Sequence, residues 1–220
     1  YAYNIHYFFD GIEDESKATI QSVSIKGFAG FNTAIGKTIA KIKEIDSSVT
    51  PLGYDSESNL FITMCEQYES PYTSATGDHF LFNNETNRGF VAKFREWYQK
   101  GYLTTQDLYG SYTSGLFVEQ GSYMSIGSSA GATHQRPAKV DGAYPFEAGI
   151  TTIPQVNPDK PKVISQGPSV CIFKKANPQE VIASWLFVKF LTTNTSFQAA
   201  FADASGYVPV LKSVAENELW

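Results

Sequence analysis

The first regular pattern of apolar residues covers residues 31–45, where they stand three or four positions apart with lysines between them. This spacing places them on one face of an amphipathic helix, which Pro51 and Gly53 are expected to terminate. The residues of this face are Phe31, Ile35, Ile39, Ile42 and Ile45.

A second apolar stripe begins at Leu60. The two residues before it, Ser58 and Asn59, are both of a type that caps helix starts through a side-chain oxygen. The pattern therefore predicts a loop over residues 55–59 that enters a helix. The apolar positions of this helix are Leu60, Phe61, Met64, Cys65 and Tyr68.

Two longer helices have clearer limits. One runs over residues 85–100, and Gly101 supplies the left-handed residue that ends it. The other begins at Asn177 as N-cap, with Pro178 in the first turn and the Glu180 carboxylate three residues after the cap. The apolar face of the first is Phe90, Phe94, Trp97 and Tyr98, with Trp97 in the core, and that of the second is Ile182, Leu186, Phe187, Phe190 and Leu191.

Shorter apolar segments between these helices predict strands. Residues 123–126 follow a short helix at 111–120 and run into the small-residue turn GSSAG at 127–131, which makes a strand-turn-helix unit. Two further segments, AGITTIP at 148–154 and the apolar run VCIF at 170–173, also have strand character. Short strands that alternate with longer helices predict an α/β layered fold.

Composition narrows the class of protein. A chain of 220 residues that is 42% hydrophobic is large enough to bury a core in one large domain or two lobes. Its 22 acidic and 17 basic residues are mixed along the sequence, so no basic patch indicates nucleic acid. The two cysteines, Cys65 and Cys171, lie in apolar runs without metal spacing, which predicts buried free thiols. No segment approaches the roughly 20 apolar residues of a membrane helix, so we expect a soluble chain.

The GSSAG turn allows three interpretations. It matches the G-x-S-x-G nucleophile elbow, with Ser129 as the nucleophile of a serine hydrolase. A histidine base should then follow later in the chain, but the one downstream histidine, His134, stands only five residues on, which disfavours the triad. The same turn could instead offer the Ser128 and Ser129 hydroxyls and helix-start N–H groups to a ligand, or small residues could simply permit a tight turn.

Other chemistry finds little support in the sequence. The three histidines are far apart, and no metal-ligand spacing, P-loop or dinucleotide motif occurs, so we expect no metal, no cofactor and no enzyme activity. Several tyrosines have polar neighbours, and such residues can stack on sugar rings or serve a cell-surface interaction module. These tyrosines are Tyr54, Tyr72, Tyr109, Tyr112 and Tyr207.

The order of these motifs resembles the family 1 extracellular solute-binding proteins, the group that includes maltose-binding and glycerol-phosphate-binding proteins. The carrying segments are FVAKFREWYQKGYL from Phe90, LFVEQGSYMSIGSSAG from Leu116, and the block from Ala176 to Val210 that contains ASWLFVKFLTTN and GYVPV. The opening Tyr3-Asn4 is similar to the start of the family's YN-K-x-x-F segment, without its lysine. The last block is the most specific.

This resemblance implies a two-lobe periplasmic-binding-protein fold of type II, here incomplete because both terminal portions of the family are missing. Residues 1–148 would form most of the second lobe, 149–205 would return to the first lobe, and 206–220 would pass through the hinge and start back. The ligand would bind in the cleft between the lobes.

The resemblance also implies where the ligand would be contacted. In the loop that starts at Gly127, serines stand where some members have tryptophan, which is typical of phosphate-bearing or small polar ligands rather than maltodextrins. The complete set of implied ligand-binding residues is Asp55, Ser58, Asn59, Tyr112, Ser128, Ser129, Gly167 and Tyr207.

The function implied is that of the extracellular substrate-binding component of an ABC importer. Its ligand would be a sugar, oligosaccharide, polyol or sugar phosphate, and its protein partners the permease subunits of the transporter. We expect a monomer at the cell surface or in the periplasm, with no nucleic-acid partner. A membrane would be contacted only through a lipid anchor that lies outside this chain.

Overall fold

The structure, a computed structural model, describes residues 34–216, which divide into two compact units. The sheet unit comprises residues 34–127 and 134–164, and the helical unit comprises residues 128–133 and 165–216. The chain therefore passes from one unit to the other three times. The lobe limits expected from the sequence stay predictions.

The sheet unit alternates helices and strands, in keeping with the predicted α/β class, although two of its three strands, at residues 52–54 and 103–105, were not predicted. In chain order its elements are α1 (Ala34–Ile45), β1 (Leu52–Tyr54), α2 (Glu57–Gln67), α3 (Glu85–Gln99), β2 (Leu103–Thr105), α4 (Gln106–Tyr109), α5 (Thr113–Val118) and β3 (Met124–Ile126). A 3-10 helix, Ser129–Gln135, follows β3, and the helical unit then contains α6 (Pro178–Thr193), α7 (Thr195–Ser205) and α8 (Lys212–Ala215).

The three strands form a parallel sheet in the order β2, β1, β3. In register, Leu52 of β1 lies between Leu103 of β2 and Met124 of β3. Because side chains alternate along a strand, these three residues point to the same face of the sheet. A parallel sheet must be covered on both of its faces. Helices α1, α2 and α3 cover the face that carries Leu52, Leu103 and Met124.

The apolar face of the sheet forms the main core of the sheet unit. The isoleucines predicted for the first helix face are fully buried there at three positions, whereas Phe31 of the same pattern lies outside the described residues. The buried core residues are Ile35, Ile39, Ile42, Val49, Leu52, Tyr54, Leu60, Met64, Cys65, Phe90, Trp97, Leu103 and Met124.

Helix α3 agrees closely with the helix predicted over residues 85–100. Asn84 is the N-cap, and its side-chain oxygen accepts the N–H of Asn87 at 2.9 Å. At the other end, Gly101 adopts a φ of 67°, a left-handed conformation that favours glycine. Trp97 is buried against Gly36 of α1, where a methyl group would stand 3.1 Å from its ring.

Two predicted helix limits are wrong. Helix α1 ends at Ile45, because the chain turns at Asp46, whose carboxylate accepts the N–H and the hydroxyl of Ser48. Gly53, expected to terminate this helix, instead lies in the central strand β1, which the sequence pattern did not predict.

The cap of α2 was also misassigned, since its N-cap is Ser56 rather than Ser58 or Asn59. The Ser56 hydroxyl accepts the N–H of Asn59 at 3.2 Å, so Ser58 and Asn59 both lie in the first helical turn.

Residues 148–154 and 170–173 do not form the predicted strands. The first segment continues into a loop that Gln67 of α2 holds: its amide nitrogen donates to the Pro154 carbonyl at 3.1 Å, and its oxygen accepts the N–H of Val156 at 2.8 Å. The second segment has no strand beside it within residues 34–216 to take its backbone groups, and Phe173 is 80% exposed. An apolar sequence alone does not make a strand without a hydrogen-bonding neighbour.

Helix α6 begins as predicted, with the Asn177 side chain accepting the N–H of Gln179 at 3.0 Å and Pro178 in the first turn. Its large apolar side chains stand exposed in the described part of the helical unit, Trp185 and Phe187 among them. Nowhere in residues 34–216 is a helix long and apolar enough to cross a lipid bilayer.

The two cysteines occupy different environments, so the prediction that both are buried is wrong for one of them. Cys65 is completely buried in the core, and Cys171 is exposed. Burial, with a smaller contribution from the neighbouring Glu66 carboxylate, raises the pKa of the Cys65 thiol from 9.0 to about 11.

Between pH 9 and pH 11 the unfolded chain therefore loses the Cys65 proton while the folded chain keeps it, and the free energy of unfolding must fall as pH rises. We expect this thiol to account for about 2–3 kcal/mol of the loss. Urea unfolding of wild type and Cys65→Ala across this range measures it, since the variant should lose correspondingly less stability.

The matched control is Cys171→Ala, which removes an exposed thiol and should keep the wild-type pH dependence. Equal slopes for wild type and Cys65→Ala would contradict the prediction.

Candidate functional site

Polar residues collect where the three parallel strands end. The strands stop at Tyr54, Thr105 and Ile126, and their carboxyl ends lie at the same edge because the strands are parallel and in register. We call this the carboxyl edge, formed by residues 55–59, 106–113 and 127. In open α/β sheets this is the edge at which ligands bind.

Asp55 is the central side chain of the carboxyl edge. Its backbone N–H donates to the Ile126 carbonyl at 2.9 Å, which continues the pairing of β1 with β3. Its carboxylate oxygen Oδ1 accepts two bonds from Thr113, one from the backbone N–H at 3.0 Å and one from the hydroxyl at 2.7 Å. Asp55 thereby caps α5, whose own N-cap Tyr112 makes no side-chain cap bond.

Two glycines leave the space that Thr113 and the Asp55 carboxylate occupy. A Cβ atom on Gly53 would lie 2.7 Å from the Cβ of Thr113, so α5 can rest on the second face of the sheet only because β1 has no side chain there. A Cβ atom on Gly127 would lie 2.2 Å from Oδ2 of Asp55. The Asp55 carboxylate consequently lies directly over the end of β3.

A second acid after β1 performs a similar task. Oε1 of Glu57 accepts the N–H of Asp107 at 3.2 Å, in the first turn of α4. The Thr105 side chain, at the N-cap of this helix, makes no cap bond. The loop after β1 and the first residue of α2 therefore each supply an acceptor to the N-terminal turn of one of the two short helices that separate β2 from β3.

The carboxyl edge brings together four of the residues implied by the family resemblance. Asp55 is half-buried, Ser58 is exposed and Asn59 is half-buried in the first turn of α2. Tyr112 is 61% exposed and directly precedes Thr113, which is fully buried. Thr113 thus binds the Asp55 carboxylate and is the chain neighbour of the exposed Tyr112.

The helical unit contains the other four residues. Ser128 turns the chain by accepting the Gly131 N–H with its carbonyl, at 2.9 Å, and the Ala130 N–H with its hydroxyl, at 3.4 Å. Ser129 approaches the end of α7, where a Cβ on Gly206 would stand 3.0 Å from the Ser129 carbonyl oxygen.

Tyr207 directly follows Gly206 in the chain. Its ring stacks on the ring of Phe201, with 6.4 Å between the two ring centroids. Ser129 and Tyr207 are therefore in neighbouring parts of the helical unit. Gly167 is exposed with a φ of 155°, and no described hydrogen bond or ring contact joins it to the other implied residues.

The sequence interpretation missed Gly53, Glu57 and Thr113. Gly53 was assigned to a helix end, and a buried threonine has no signature that separates it from a surface one. A threonine directly after an exposed tyrosine, at the start of a short helix, was the available signal.

The elbow and metal alternatives can be compared with this geometry. Ser129 starts a 3-10 helix, Ser129–Gln135, which also contains His134 five residues on. Among residues 34–216, no group of three histidine, cysteine or acidic side chains is placed to hold a metal ion.

A family model described as bacterial extracellular solute-binding protein matches residues 3–220, nearly the whole chain. The chain belongs to this family. As a solute-binding protein it is extracellular and serves an ABC importer, to whose permease such proteins deliver small ligands. No curated protein matches the sequence. The mixed α/β fold with a small parallel sheet is compatible with this family, and the closer likeness to maltose- and glycerol-phosphate-binding members stays a prediction.

The contact between Gly53 and Thr113 makes a prediction for this solute-binding protein. Gly53→Ala places a methyl group within 2.7 Å of the Thr113 side chain, so α5 must shift from the sheet. We expect the free energy of unfolding to fall by about 1–3 kcal/mol, as for other overpacked sites. Urea denaturation with a far-ultraviolet circular dichroism signal measures the change.

Gly89→Ala is the matched control, because Gly89 lies in the exposed middle of α3 with nothing within 4 Å of the added atom. This variant should be more stable than wild type, by up to about 1 kcal/mol, since alanine favours helix. A Gly53→Ala protein as stable as wild type would show that α5 does not depend on this close approach.

Proposed function

We propose that this solute-binding protein captures a neutral, polyhydroxylated ligand, a sugar or polyol, and that the carboxyl edge of its sheet contributes to binding. The observation that carries the proposal is that one buried residue, Thr113, binds the half-buried Asp55 carboxylate and directly follows the exposed Tyr112 at this edge.

The chemistry of the two side chains suits a sugar. A pyranose ring has an apolar C–H face that packs against an aromatic ring, and hydroxyl groups that donate to carboxylate oxygens. Within residues 34–216, no donor bonds Oδ2 of Asp55, whereas Oδ1 is occupied by Thr113. Ser58 and Asn59 add polar groups in the first turn of α2 beside Asp55.

Charge at the carboxyl edge favours a neutral ligand over a phosphate ester. Asp55, Glu57 and Asp107 contribute three carboxylates, and the segments 55–59, 106–113 and 127 contain no lysine or arginine. A phosphate about 6 Å from one such carboxylate is disfavoured by about 1–3 kcal/mol at the dielectric of a protein surface. Of the ligand classes expected from the sequence, we therefore retain sugars, oligosaccharides and polyols and place sugar phosphates last.

We also propose the finer features that the family resemblance implies: a type II two-lobe fold, a monomeric state and a lipid anchor. Ser128, Ser129, Gly167 and Tyr207 remain candidate ligand contacts of the helical unit. Asp55 and Tyr112 are the contacts for which the geometry gives the strongest support.

The contribution of the aromatic ring can be measured directly. Isothermal titration calorimetry of the full-length protein against maltose, glucose, xylose, glycerol and myo-inositol should identify at least one ligand. For that ligand Tyr112→Ala should raise Kd by roughly 3- to 10-fold, the effect expected from losing one stacking contact.

Tyr98→Ala is the control, because Tyr98 is also an exposed tyrosine but lies near the end of α3, which leads to the opposite edge of the sheet. Its Kd should equal that of wild type. Binding that is unchanged in Tyr112→Ala, or no binding of any compound in the panel, would rule against the proposed site or ligand class.

Charge selectivity provides a separate measurement. Glucose should bind more tightly than glucose 6-phosphate, and the preference should shrink in the double variant Asp55→Asn, Glu57→Gln because two negative charges are removed from the edge. Calorimetry at low and high salt checks the electrostatic origin, since salt should weaken the discrimination. Tighter binding of the phosphate ester to wild type would contradict the proposed class.

A further inference from the structure

The two oxygens of the Asp55 carboxylate have different surroundings. Oδ1 accepts both the N–H and the hydroxyl of Thr113, at 3.0 and 2.7 Å. Oδ2 accepts no hydrogen bond from any residue in the range 34–216 and lies over Gly127. Among the described residues, Oδ1 thus attaches the carboxylate to the protein, and Oδ2 has no donor.

Thr113 can fix this orientation because its own position is fixed by the residues packed around it. It is fully buried, its Cβ, Oγ1 and Cγ2 atoms all face Gly53 of the central strand, and its backbone begins α5. Two bonds from one rigid residue to the same oxygen define the rotation of the carboxylate more closely than a single bond would.

Gly127 provides the space on the other side. With any side chain at position 127, the Asp55 carboxylate would have to rotate away, since even a Cβ atom would lie 2.2 Å from Oδ2. Thr113 and Gly127 therefore restrict the rotation of the Asp55 carboxylate from two sides. The same bonds fix the start of α5, and with it the backbone of the exposed Tyr112.

We propose that Thr113 is a positioning residue: through its hydroxyl it orients the Asp55 carboxylate so that Oδ2 can meet a ligand, and through its backbone it fixes the position of the neighbouring Tyr112. This inference rests on the proposed function of the carboxyl edge. Thr113 itself is buried and does not touch ligand; it acts through its two neighbours, with Gly127 giving the clearance.

The test compares Thr113→Val with Thr113→Ser in the full-length protein. Valine keeps the shape and the backbone N–H but removes the hydroxyl donor, whereas serine keeps the donor and loses a methyl group. The carboxyl-carbon NMR signal of Asp55 and the hydrogen exchange of the residue 113 amide report the contact without any ligand. We expect the valine variant to shift the Asp55 signal and to lose about tenfold in amide protection, and the serine variant to restore both.

Binding gives the second readout, with glucose and maltose as probes. Thr113→Val should raise Kd by roughly fivefold or more, Thr113→Ser should stay within about twofold of wild type, and adding Thr113→Val to Asp55→Asn should have no further effect, since residues that act through one another are not additive. An unshifted Asp55 signal in Thr113→Val, or failure of serine to restore it, overturns the inference.

The experiment also separates this inference from the proposed function. If Asp55→Asn weakens binding while Thr113→Val does not, the site is retained and the positioning role is wrong. If Asp55→Asn and Tyr112→Ala both bind glucose and maltose as wild type does, the proposed site fails, and the role of Thr113 in ligand binding fails with it. An effect of Thr113→Val on the Asp55 signal alone would then show a purely structural contact.

Discussion

The sheet unit depends on how its central strand is covered. Strand β1 lies between β2 and β3, and a parallel strand in this position must be buried on both sides. On one face, Leu52 and Tyr54 pack into the core formed by α1, α2 and α3. On the other face, the absence of a side chain at Gly53 lets the short helix α5 approach until Thr113 touches the strand. The same glycine that gives strand β1 little strand propensity is thus what allows a helix of only six residues to cover it.

A helix this short is not stable by itself, and the fold supplies what it lacks. Isolated helices below about 12 residues are marginal in water, because nucleation is costly and the terminal N–H groups have no partner. Asp55, in the loop after β1, provides an acceptor to α5, and Glu57, the first residue of α2, provides one to α4. Asp55 and Glu57 at the carboxyl edge consequently have a structural role, because they stabilise the starts of these helices. Asp55 can serve a ligand as well, because a carboxylate has two oxygens and only one of them is used by the helix.

The two ends of the strands are stabilised by different kinds of contact. At the amino-terminal end of the strands, the well-capped helix α3 leads into β2 through Gly101. The carboxyl edge is held by hydrogen bonds to charged groups and by two close approaches at glycine. Polar contacts of this kind are directional, so they define the positions of a few side chains precisely, which is what a site for a hydroxyl-rich ligand requires.

The sequence by itself determined the helices with long amphipathic faces and strong ends, the α/β class and the family. The stripe of isoleucines in α1, the glycine after α3 and the cap at Asn177 are local signals, because a helix satisfies its own backbone and needs only a buried face. The tertiary structure decided what was not local. Strands β1 and β2 were missed and residues 148–154 and 170–173 were overassigned, because a strand exists only where another strand takes its hydrogen bonds. Asp55 and Tyr112 could be named from the sequence, but the partner that joins them, Thr113, lies 58 residues from Asp55 along the chain, and only folding brings a buried hydroxyl to that carboxylate.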